Sequence, residues 1–302
     1  MCANPVFGRI ATAVITPFDS RGNIDFAAAK RLADYLAAHG TDTAVVAGTT
    51  GEGATLSAEE RVELFKFWVD SVPDNLMVVA NTGTNVTSES AKLTEEATKA
   101  GVDGIMAVMP YYNKPNTGGQ IRHFRIIAQS TDKPVLLYNV PSRTGGSMTL
   151  EAIYQLSGVS NIAAIKEASG DLDFVSSIIK NSAKDFAVYS GDDSLTLPIL
   201  AVGGVGVVSV ASHIVGPQLA EMVRAFVKGD VDRAARIHLD LLGVFKALFA
   251  TTNPIPVKTA VAMMGLVSEN FRLPMTPAPD EVKNRLAGIM NEHGLFPGIP
   301  SK

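Results

Sequence analysis

Short apolar runs separated by helix-type patterns constrain the fold of this chain more than any other feature. Eight such runs follow one another between Ile10 and Val210. Strand runs that alternate with helical patterns indicate parallel strand pairing, and eight βα units in a stretch of this length are typical of a TIM barrel. The sequence therefore predicts an α/β fold, a TIM (β/α)8 barrel.

A doubly wound open sheet is the second candidate fold. Such a sheet usually has fewer strands and a phosphate-binding fingerprint. The glycine-rich stretch Gly203–Gly206 does not have the spacing G-x-G-x-x-G, and it precedes a strand-type run instead of following one. That order is wrong for a dinucleotide-binding loop, so the barrel is favoured.

After the eighth run the pattern becomes purely helical. Apolar residues recur at helical spacing in residues 218–228, 231–250, 255–265 and 280–291. We expect a C-terminal helical region without a mobile linker, because no stretch there is rich enough in Gly or Ser. The predicted division places the catalytic barrel in residues 1–225 and the helical region in residues 226–302.

Composition argues against several classes of partner. Lys and Arg number 26 and Asp and Glu 30, which leaves a net charge of −4, and there is no basic run; nucleic acid is therefore not an expected partner. The longest apolar stretch, residues 195–210, is interrupted by Pro198 and three glycines, so no membrane span is expected. The histidines are scattered, so we predict no metal site.

The single cysteine, Cys2, excludes an internal disulfide and suits a reducing compartment. The chain has no charged start followed by an apolar segment, so no signal peptide is predicted. We therefore expect a cytoplasmic protein.

Lys166 is the residue that first points to chemistry. It follows the apolar run 162–165 directly and precedes a Ser-Gly turn. An unpaired ammonium is costly to bury, but a lysine desolvated at the mouth of a barrel can lose its proton and form a Schiff base with a carbonyl compound. Taken alone, a lysine at a strand end is more often a solvated charge.

Other polar residues fall at the ends of other predicted strands, where a TIM barrel has its active site. Each also has an ordinary interpretation: the segment Gly48–Gly53 can be a simple turn, a tyrosine pair can be packing, an arginine can be a surface charge, and Asp192-Asp193 can cap a helix. Taken separately, these interpretations do not predict that all these residues occur together at strand ends. The residues in question are Thr49, Thr50, Tyr111, Tyr112, Tyr138, Arg143 and Gly191.

These residue types suit one class of reaction. A lysine amine condenses with a ketone to an iminium, which loses a proton to become an enamine nucleophile that adds to an aldehyde. A tyrosine phenol linked to a threonine hydroxyl can relay the protons. Backbone N–H groups of a Gly-Thr-Thr-Gly turn can receive a keto-acid carboxylate, and Arg143 can receive a second carboxylate.

Three motifs resemble the dihydrodipicolinate synthase family, and the resemblance runs from about Gly8 to at least Lys258. It implies a TIM barrel with a C-terminal helical region, in a homotetramer built from tight dimers. It also implies condensation of pyruvate with aspartate-4-semialdehyde on the route to lysine, without a cofactor. The motifs are Gly48-Thr49-Thr50-Gly51-Glu52, Tyr138-Asn139-Val140-Pro141-Ser142-Arg143-Thr144-Gly145 and Ile165-Lys166-Glu167-Ala168-Ser169-Gly170.

The resemblance assigns a role to each matching residue. Lys166 would form the Schiff base, and Tyr138 would be the central proton relay together with Thr49. Tyr112 would complete the relay from the neighbouring subunit. The substrate-binding positions would be Thr50 for the pyruvate carboxylate, Arg143 for the semialdehyde carboxylate, and the backbones of Gly191 and Val208.

The same resemblance covers a possible allosteric site and leaves related activities open. Asn85, Glu89 and Tyr111 match the lysine site of feedback-inhibited members, but Ala58 and Arg61 stand where those members often have histidines. A cationic Arg61 disfavours a cationic inhibitor, so weak or absent lysine inhibition is expected.

Other functions stay open beside the synthase activity. N-acetylneuraminate lyase and keto-deoxy sugar acid aldolases share the lysine and tyrosine and are alternative activities. A non-catalytic keto-acid-binding barrel is a further alternative.

Overall fold

The structure is a computed structural model, and it describes residues 3–296. Cys2 and residues 297–302 lie outside the described residues, so what the sequence predicts for Cys2 and for the end of the helical region stays a prediction. All the elements named below belong to the described part of the chain.

Eight parallel strands close into a barrel, as the sequence predicts. Each strand pairs with its neighbour in chain order, and the last pairs with the first, with Ala11 opposite Val208. The strands are β1 Ile10–Ala13, β2 Thr43–Val46, β3 Met77–Asn81, β4 Gly104–Val108, β5 Val135–Asn139, β6 Ile162–Glu167, β7 Ala187–Ser190 and β8 Gly206–Ser209.

Alternation along the strands divides their side chains between two apolar cores. On β5, Leu136 and Tyr138 join a small cluster inside the barrel, whereas Val135 and Leu137 join the larger cluster between strands and helices. Successive side chains of a strand point to opposite faces. On β6, Ala164 belongs to the inner cluster, so Lys166, two residues later, also points into the barrel.

Helices surround the barrel and continue beyond it. Most connect one strand to the next, and the last ones form the C-terminal helical region. They are α1 Phe26–Ala38, α2 Ala58–Ser71, α3 Thr87–Lys99, α4 Thr117–Gln129, α5 Pro141–Thr144, α6 Leu150–Ser157, α7 Leu172–Asn181, α8 Thr196–Ala201, α9 Ser212–Val227, α10 Val231–Ala247, α11 Ile255–Met263 and α12 Asp280–Glu292.

Side-chain caps mark the starts of half of these twelve helices, and α3 is not one of them. Ser57 and Glu60 form a capping box at α2: the Ser57 hydroxyl accepts from the Glu60 N–H at 3.2 Å, and the Ser57 N–H donates to Glu60 Oε2 at 2.9 Å. Thr87 is a residue type that often caps a helix, but it does not cap α3. It is the first residue of the helix, and its hydroxyl lies 2.9 Å from Nδ1 of the buried His123.

The C-terminal boundary also differs in detail from the sequence pattern. α9 begins at Ser212, six residues before the predicted start, and contains a break at Val215 (φ −127°, ψ 31°) just before Pro217. A proline lacks the N–H of a regular helix and crowds the preceding turn, which accounts for the break. The predicted division between residues 225 and 226 falls within α9, and the two-part organisation stays a prediction.

A short helix that the sequence pattern does not predict follows β5. α5 has Pro141 in its first turn and Gly145 in the left-handed region at its end (φ 69°), which are the usual start and stop signals. With only four residues it has no periodicity to detect. Its position matters because it carries Arg143 at the end of the strand of Tyr138.

None of the helices in residues 3–296 combines the length and the apolar character that crossing a membrane requires.

Candidate active site

Lys166 is buried inside the barrel, near its carboxyl end. The residue is 5% exposed, and its Nζ lies 4.2 Å from the centroid of the Tyr138 ring. Burial lowers the pKa of Lys166 to about 8; the negative charge of Asp193 opposes that shift and the positive charge of Arg143 adds to it. About one amine in ten is then neutral at pH 7, against fewer than about one in a thousand for an ordinary lysine.

Tyr138 is the direct neighbour of Lys166 across the sheet. The two residues are paired in the register of β5 and β6, so their side chains point into the barrel side by side. Burial raises the pKa of the Tyr138 phenol, while the Arg143 charge and the Thr49 side chain lower it. The phenol therefore keeps its proton at neutral pH and can donate it beside the lysine amine.

Asp193 lies at the same end of the barrel and was not predicted as a site residue. Asp192 caps the following turn, with the Ser194 N–H at 2.8 Å, but Asp193 does not. Its carboxylate accepts from the Ser209 hydroxyl and, at 3.0 Å each, from the N–H groups of Val210 and Ala211. Burial raises the pKa of the Asp193 carboxyl, and these donors oppose that shift. The Asp193 charge in turn raises the pKa of Lys166.

The Gly48–Gly53 segment is a tight turn at the end of β2. A Cβ on Gly53 would lie 2.1 Å from the Ala47 carbonyl oxygen, so no larger residue fits there. Thr50 is 2% exposed, and its hydroxyl accepts from the Asn253 side-chain amide at 2.9 Å. Thr49 is only half-buried and lies on the Tyr138 side of the turn.

Arg143 is exposed at the rim of the barrel, on α5. Its Nη2 donates to the Asn253 carbonyl oxygen at 3.2 Å. Its charge lowers the pKa of both Tyr138 and Lys166, which places the guanidinium near both residues. An exposed arginine above a buried amine is well placed to receive an anion that enters from solvent.

Gly191 lies beside the lysine, and Val208 lies in the inner core of the barrel. A Cβ on Gly191 would be 3.2 Å from Lys166 Cε and 2.7 Å from the Ala168 Cβ, so the glycine leaves room for the lysine side chain. Val208 is buried in the same inner cluster as Tyr138.

Tyr112 is not part of this buried group in the single chain. It is 89% exposed, and its backbone has a left-handed φ of 69°, a conformation that costs energy for a bulky residue. Its N–H donates to the Thr144 carbonyl oxygen at 3.3 Å. The structure thus brings Lys166, Tyr138, Thr49, Thr50 and Arg143 to one end of the barrel and leaves the Tyr112 side chain in solvent.

The residues of the possible allosteric site are only partly brought together. Glu89 and Tyr111 line a cavity of about 730 Å³ that also includes Ala58 and Arg61. Asn85 is not among the residues that line it; its carbonyl oxygen accepts from the Asn113 side chain at 2.8 Å. The Arg61 guanidinium donates to the Gly53 carbonyl oxygen, which connects this cavity to the Gly48–Gly53 turn.

Two residues of the C-terminal region complete the site and were not predicted as parts of it. Asn253 contacts both Thr50 and Arg143. Lys258 forms an ion pair with Glu52 in which both side chains are almost fully buried, at 0% and 2% exposure. Nothing in the sequence placed the segment around Asn253 beside Thr50.

Comparison with known proteins gives one consistent result. The model of the Dihydrodipicolinate synthetase family matches residues 6–293. Similar curated proteins are the 4-hydroxy-tetrahydrodipicolinate synthases of Moorella thermoacetica, 50% identical over 96% of this chain and 99% of the relative, and of Bacillus velezensis, 53% identical over 94% and 99%.

Solved structures agree with the sequence comparison. A dihydrodipicolinate synthase from Bacillus anthracis is 47% identical, with a TM-score of 0.92 over 97% of this chain and 99% of the other. The enzyme from Cyanidioschyzon merolae, solved with lysine bound, is 44% identical, with a TM-score of 0.95 over 97% and 100%. The chain is therefore a member of the dihydrodipicolinate synthetase family.

Proposed function

We propose that this chain is a 4-hydroxy-tetrahydrodipicolinate synthase, a carbon–carbon lyase of lysine and diaminopimelate biosynthesis. It would condense pyruvate with aspartate-4-semialdehyde through a Schiff base on Lys166. The observation that carries the proposal is the buried Lys166 amine, 4.2 Å from the Tyr138 ring and with a pKa lowered to about 8. The names of relatives about half identical over nearly the whole chain support the same reaction.

The first half of the reaction uses Lys166 and the proton relay. The neutral amine attacks the keto carbon of pyruvate, and a new C–N bond forms as the carbonyl oxygen takes a proton. That oxygen then leaves as water and an iminium remains. Loss of a methyl proton gives the enamine. Tyr138, with its proton retained by burial, and Thr49 would move these protons.

The second half joins the two substrates. The enamine carbon attacks the aldehyde carbon, a C–C bond forms, and the aldehyde oxygen takes a proton. Attack of the substrate's own amino group on the imine carbon closes the ring and releases Lys166. Thr50 would hold the pyruvate carboxylate and Arg143 the semialdehyde carboxylate, with the backbones of Gly191 and Val208 beside the lysine.

Tyr112 enters this scheme only from a neighbouring copy of the chain. Its exposure and left-handed backbone support a role outside its own barrel, because an aromatic side chain held in solvent at that cost needs a partner. We propose a homotetramer built from tight dimers in which Tyr112 completes the relay of the adjacent subunit.

We also propose a cytoplasmic location and a reaction without a cofactor.

Regulation by lysine is proposed to be weak or absent. Arg61 carries a positive charge into the cavity that Glu89 and Tyr111 line, and like charges repel. Asn85 stays a proposed member of this site, and the neighbouring subunit would complete the site. Half-inhibition by micromolar lysine would contradict this proposal, and restored inhibition in Arg61→His would support its stated cause.

The experiment that tests the function compares wild type with Arg143→Ala. Condensation of pyruvate with aspartate-4-semialdehyde is followed by coupling to the next reductase, and borohydride trapping of pyruvate on Lys166 is measured in parallel. We expect the variant to lose turnover and to keep trapping. If wild type traps pyruvate but does not condense it with aspartate-4-semialdehyde, its aldehyde substrate is a different one, as in the related aldolases. If wild type traps no pyruvate, the Schiff-base proposal fails.

A further inference from the structure

Asn253 connects the two residues to which carboxylate binding is assigned. It lies two residues before α11, outside the barrel in chain order, and is 6% exposed. Its side-chain Nδ2 donates to Thr50 Oγ1 at 2.9 Å, and its backbone carbonyl accepts from Arg143 Nη2 at 3.2 Å. A single residue of the C-terminal region thus contacts both Thr50 and Arg143.

The direction of the hydrogen bond to Thr50 has a chemical consequence. A threonine hydroxyl has one proton and two lone pairs. Because the Asn253 amide is the donor, it occupies a lone pair of Thr50 Oγ1 and leaves the hydroxyl proton available. A hydroxyl in this state donates to an anion. An acceptor in place of the amide would take that proton and turn a lone pair toward the substrate.

The segment that carries Asn253 is held firmly against the Gly48–Gly53 turn. Lys258, on α11, forms the buried ion pair with Glu52 of the same turn as Thr50. Lys258 Nζ also donates to the Asn270 carbonyl oxygen at 3.0 Å. Two side chains of one short segment therefore contact the turn: Asn253 bonds Thr50, and Lys258 pairs with Glu52. These contacts give the Asn253 amide a defined place beside Thr50.

We propose that Asn253 is a positioning residue for carboxylate recognition. Its amide keeps the Thr50 hydroxyl oriented as a donor to the carboxylate of the keto acid, and its backbone carbonyl holds the Arg143 guanidinium. The two contacts are separable, because a side-chain substitution removes the amide and leaves the carbonyl. The identity of the substrates in this proposal rests on the proposed function.

The test uses Asn253→Asp, Asn253→Ser and, as a matched control, Asn75→Asp. Aspartate has no amide donor, takes the Thr50 proton and adds a charge that repels a carboxylate; serine removes the amide without adding charge. Asn75 is exposed at the opposite end of the barrel, so its substitution makes the same change of charge away from the site. Thermal unfolding checks that each variant is folded.

The readout is the pyruvate concentration that gives half-maximal borohydride trapping on Lys166. Loss of one charge-assisted hydrogen bond predicts an increase of about tenfold for Asn253→Ser and a larger one for Asn253→Asp, with no change in Asn75→Asp. Trapping of methyl pyruvate, which has no carboxylate, should change less than about twofold. In steady state kcat should be nearly unchanged, as expected for lost uniform binding.

The outcomes separate this proposal from the proposed function. If Asn253→Ser and Asn253→Asp trap pyruvate with the half-saturation of wild type, or if pyruvate and methyl pyruvate are affected equally, the positioning role is wrong. Both results leave the Schiff base on Lys166 intact. If wild type itself traps no pyruvate, the proposed function is what fails.

Discussion

Lys166 and Tyr138 are paired neighbours on adjacent strands, and Lys166 Nζ lies 4.2 Å from the centroid of the Tyr138 ring. The pairing puts both side chains on the inner face of the barrel at the same height. Burial acts on them in chemically complementary ways: it lowers the pKa of the lysine and raises that of the phenol. In the neutral form of the amine, about one in ten at pH 7, a proton acceptor and a proton donor therefore lie side by side.

The first prediction concerns pH. Because the pKa of Lys166 is lowered to about 8, the neutral amine increases as pH rises through that value. Below pH 7, the rate of pyruvate trapping per active site should increase about tenfold for each unit by which the pH increases. The rate should level off above about pH 8.5. Single-turnover borohydride trapping between pH 6 and 9 measures this. A rate that keeps rising to pH 10 would contradict a lowered pKa.

Asp193→Asn should shift that pH profile. The Asp193 charge raises the pKa of Lys166, so its removal should lower the pKa and move the rising limb to lower pH. Asp192→Asn is the matched control, because Asp192 caps the adjacent turn and is not among the charges that act on Lys166. Identical profiles for Asp193→Asn and wild type would mean that Asp193 is uncharged or too far away.

Gly191→Ala should slow Schiff-base formation by at least about tenfold, because misplacement of a reacting group by about 1 Å is that costly. The added Cβ would lie 2.7 Å from the Ala168 Cβ and 3.2 Å from Lys166 Cε, so the lysine must move. Gly243→Ala is the control: it places the same methyl group on α10, with no atom within 4 Å. Equal trapping rates in the two variants would argue against crowding at Gly191.

Lys258→Met should destabilise the protein by about 3–5 kcal/mol, because it leaves the Glu52 charge buried without a partner. Lys258→Met combined with Glu52→Gln should recover most of this loss. Lys30→Met breaks an exposed pair with Asp34, at 48% and 53% exposure, and should cost less than about 1 kcal/mol. Urea unfolding of these three variants and of Glu52→Gln alone measures the free energies of unfolding. Additive effects of the two buried substitutions would rule out the pair as the cause.

Local patterns predicted the barrel well and its details less well. The eight strands follow from apolar runs whose alternation decides which side chains face inward, and the capping box of Ser57 and Glu60 was readable because it spans only four residues. α5 was missed because one helical turn has no periodicity. Thr87 has a residue type typical of a cap, but its hydroxyl bonds His123 from the next helix, which no local signal encodes.

The candidate site was predictable as a set of residue types and not as an arrangement. Lys166, Tyr138 and the Thr49–Thr50 turn stood out because each follows a strand, and strand ends of a barrel converge. Asp193 was interpreted as a cap, because Asp before a helix usually is one. Only the fold shows that its carboxylate instead accepts from Ser209 and from the N–H groups of Val210 and Ala211, just before α9.

The sequence by itself determined the barrel and the presence of a lysine at the end of one of its strands, because both are encoded by neighbours along the chain. Tertiary structure alone decided that Asn253 reaches Thr50, 203 residues away, that Lys258 neutralises Glu52, and that Tyr112 stays in solvent. Periodicity records which side of a segment is buried, but not which distant segment covers it; only closure of the barrel and packing of the C-terminal helices bring those atoms together.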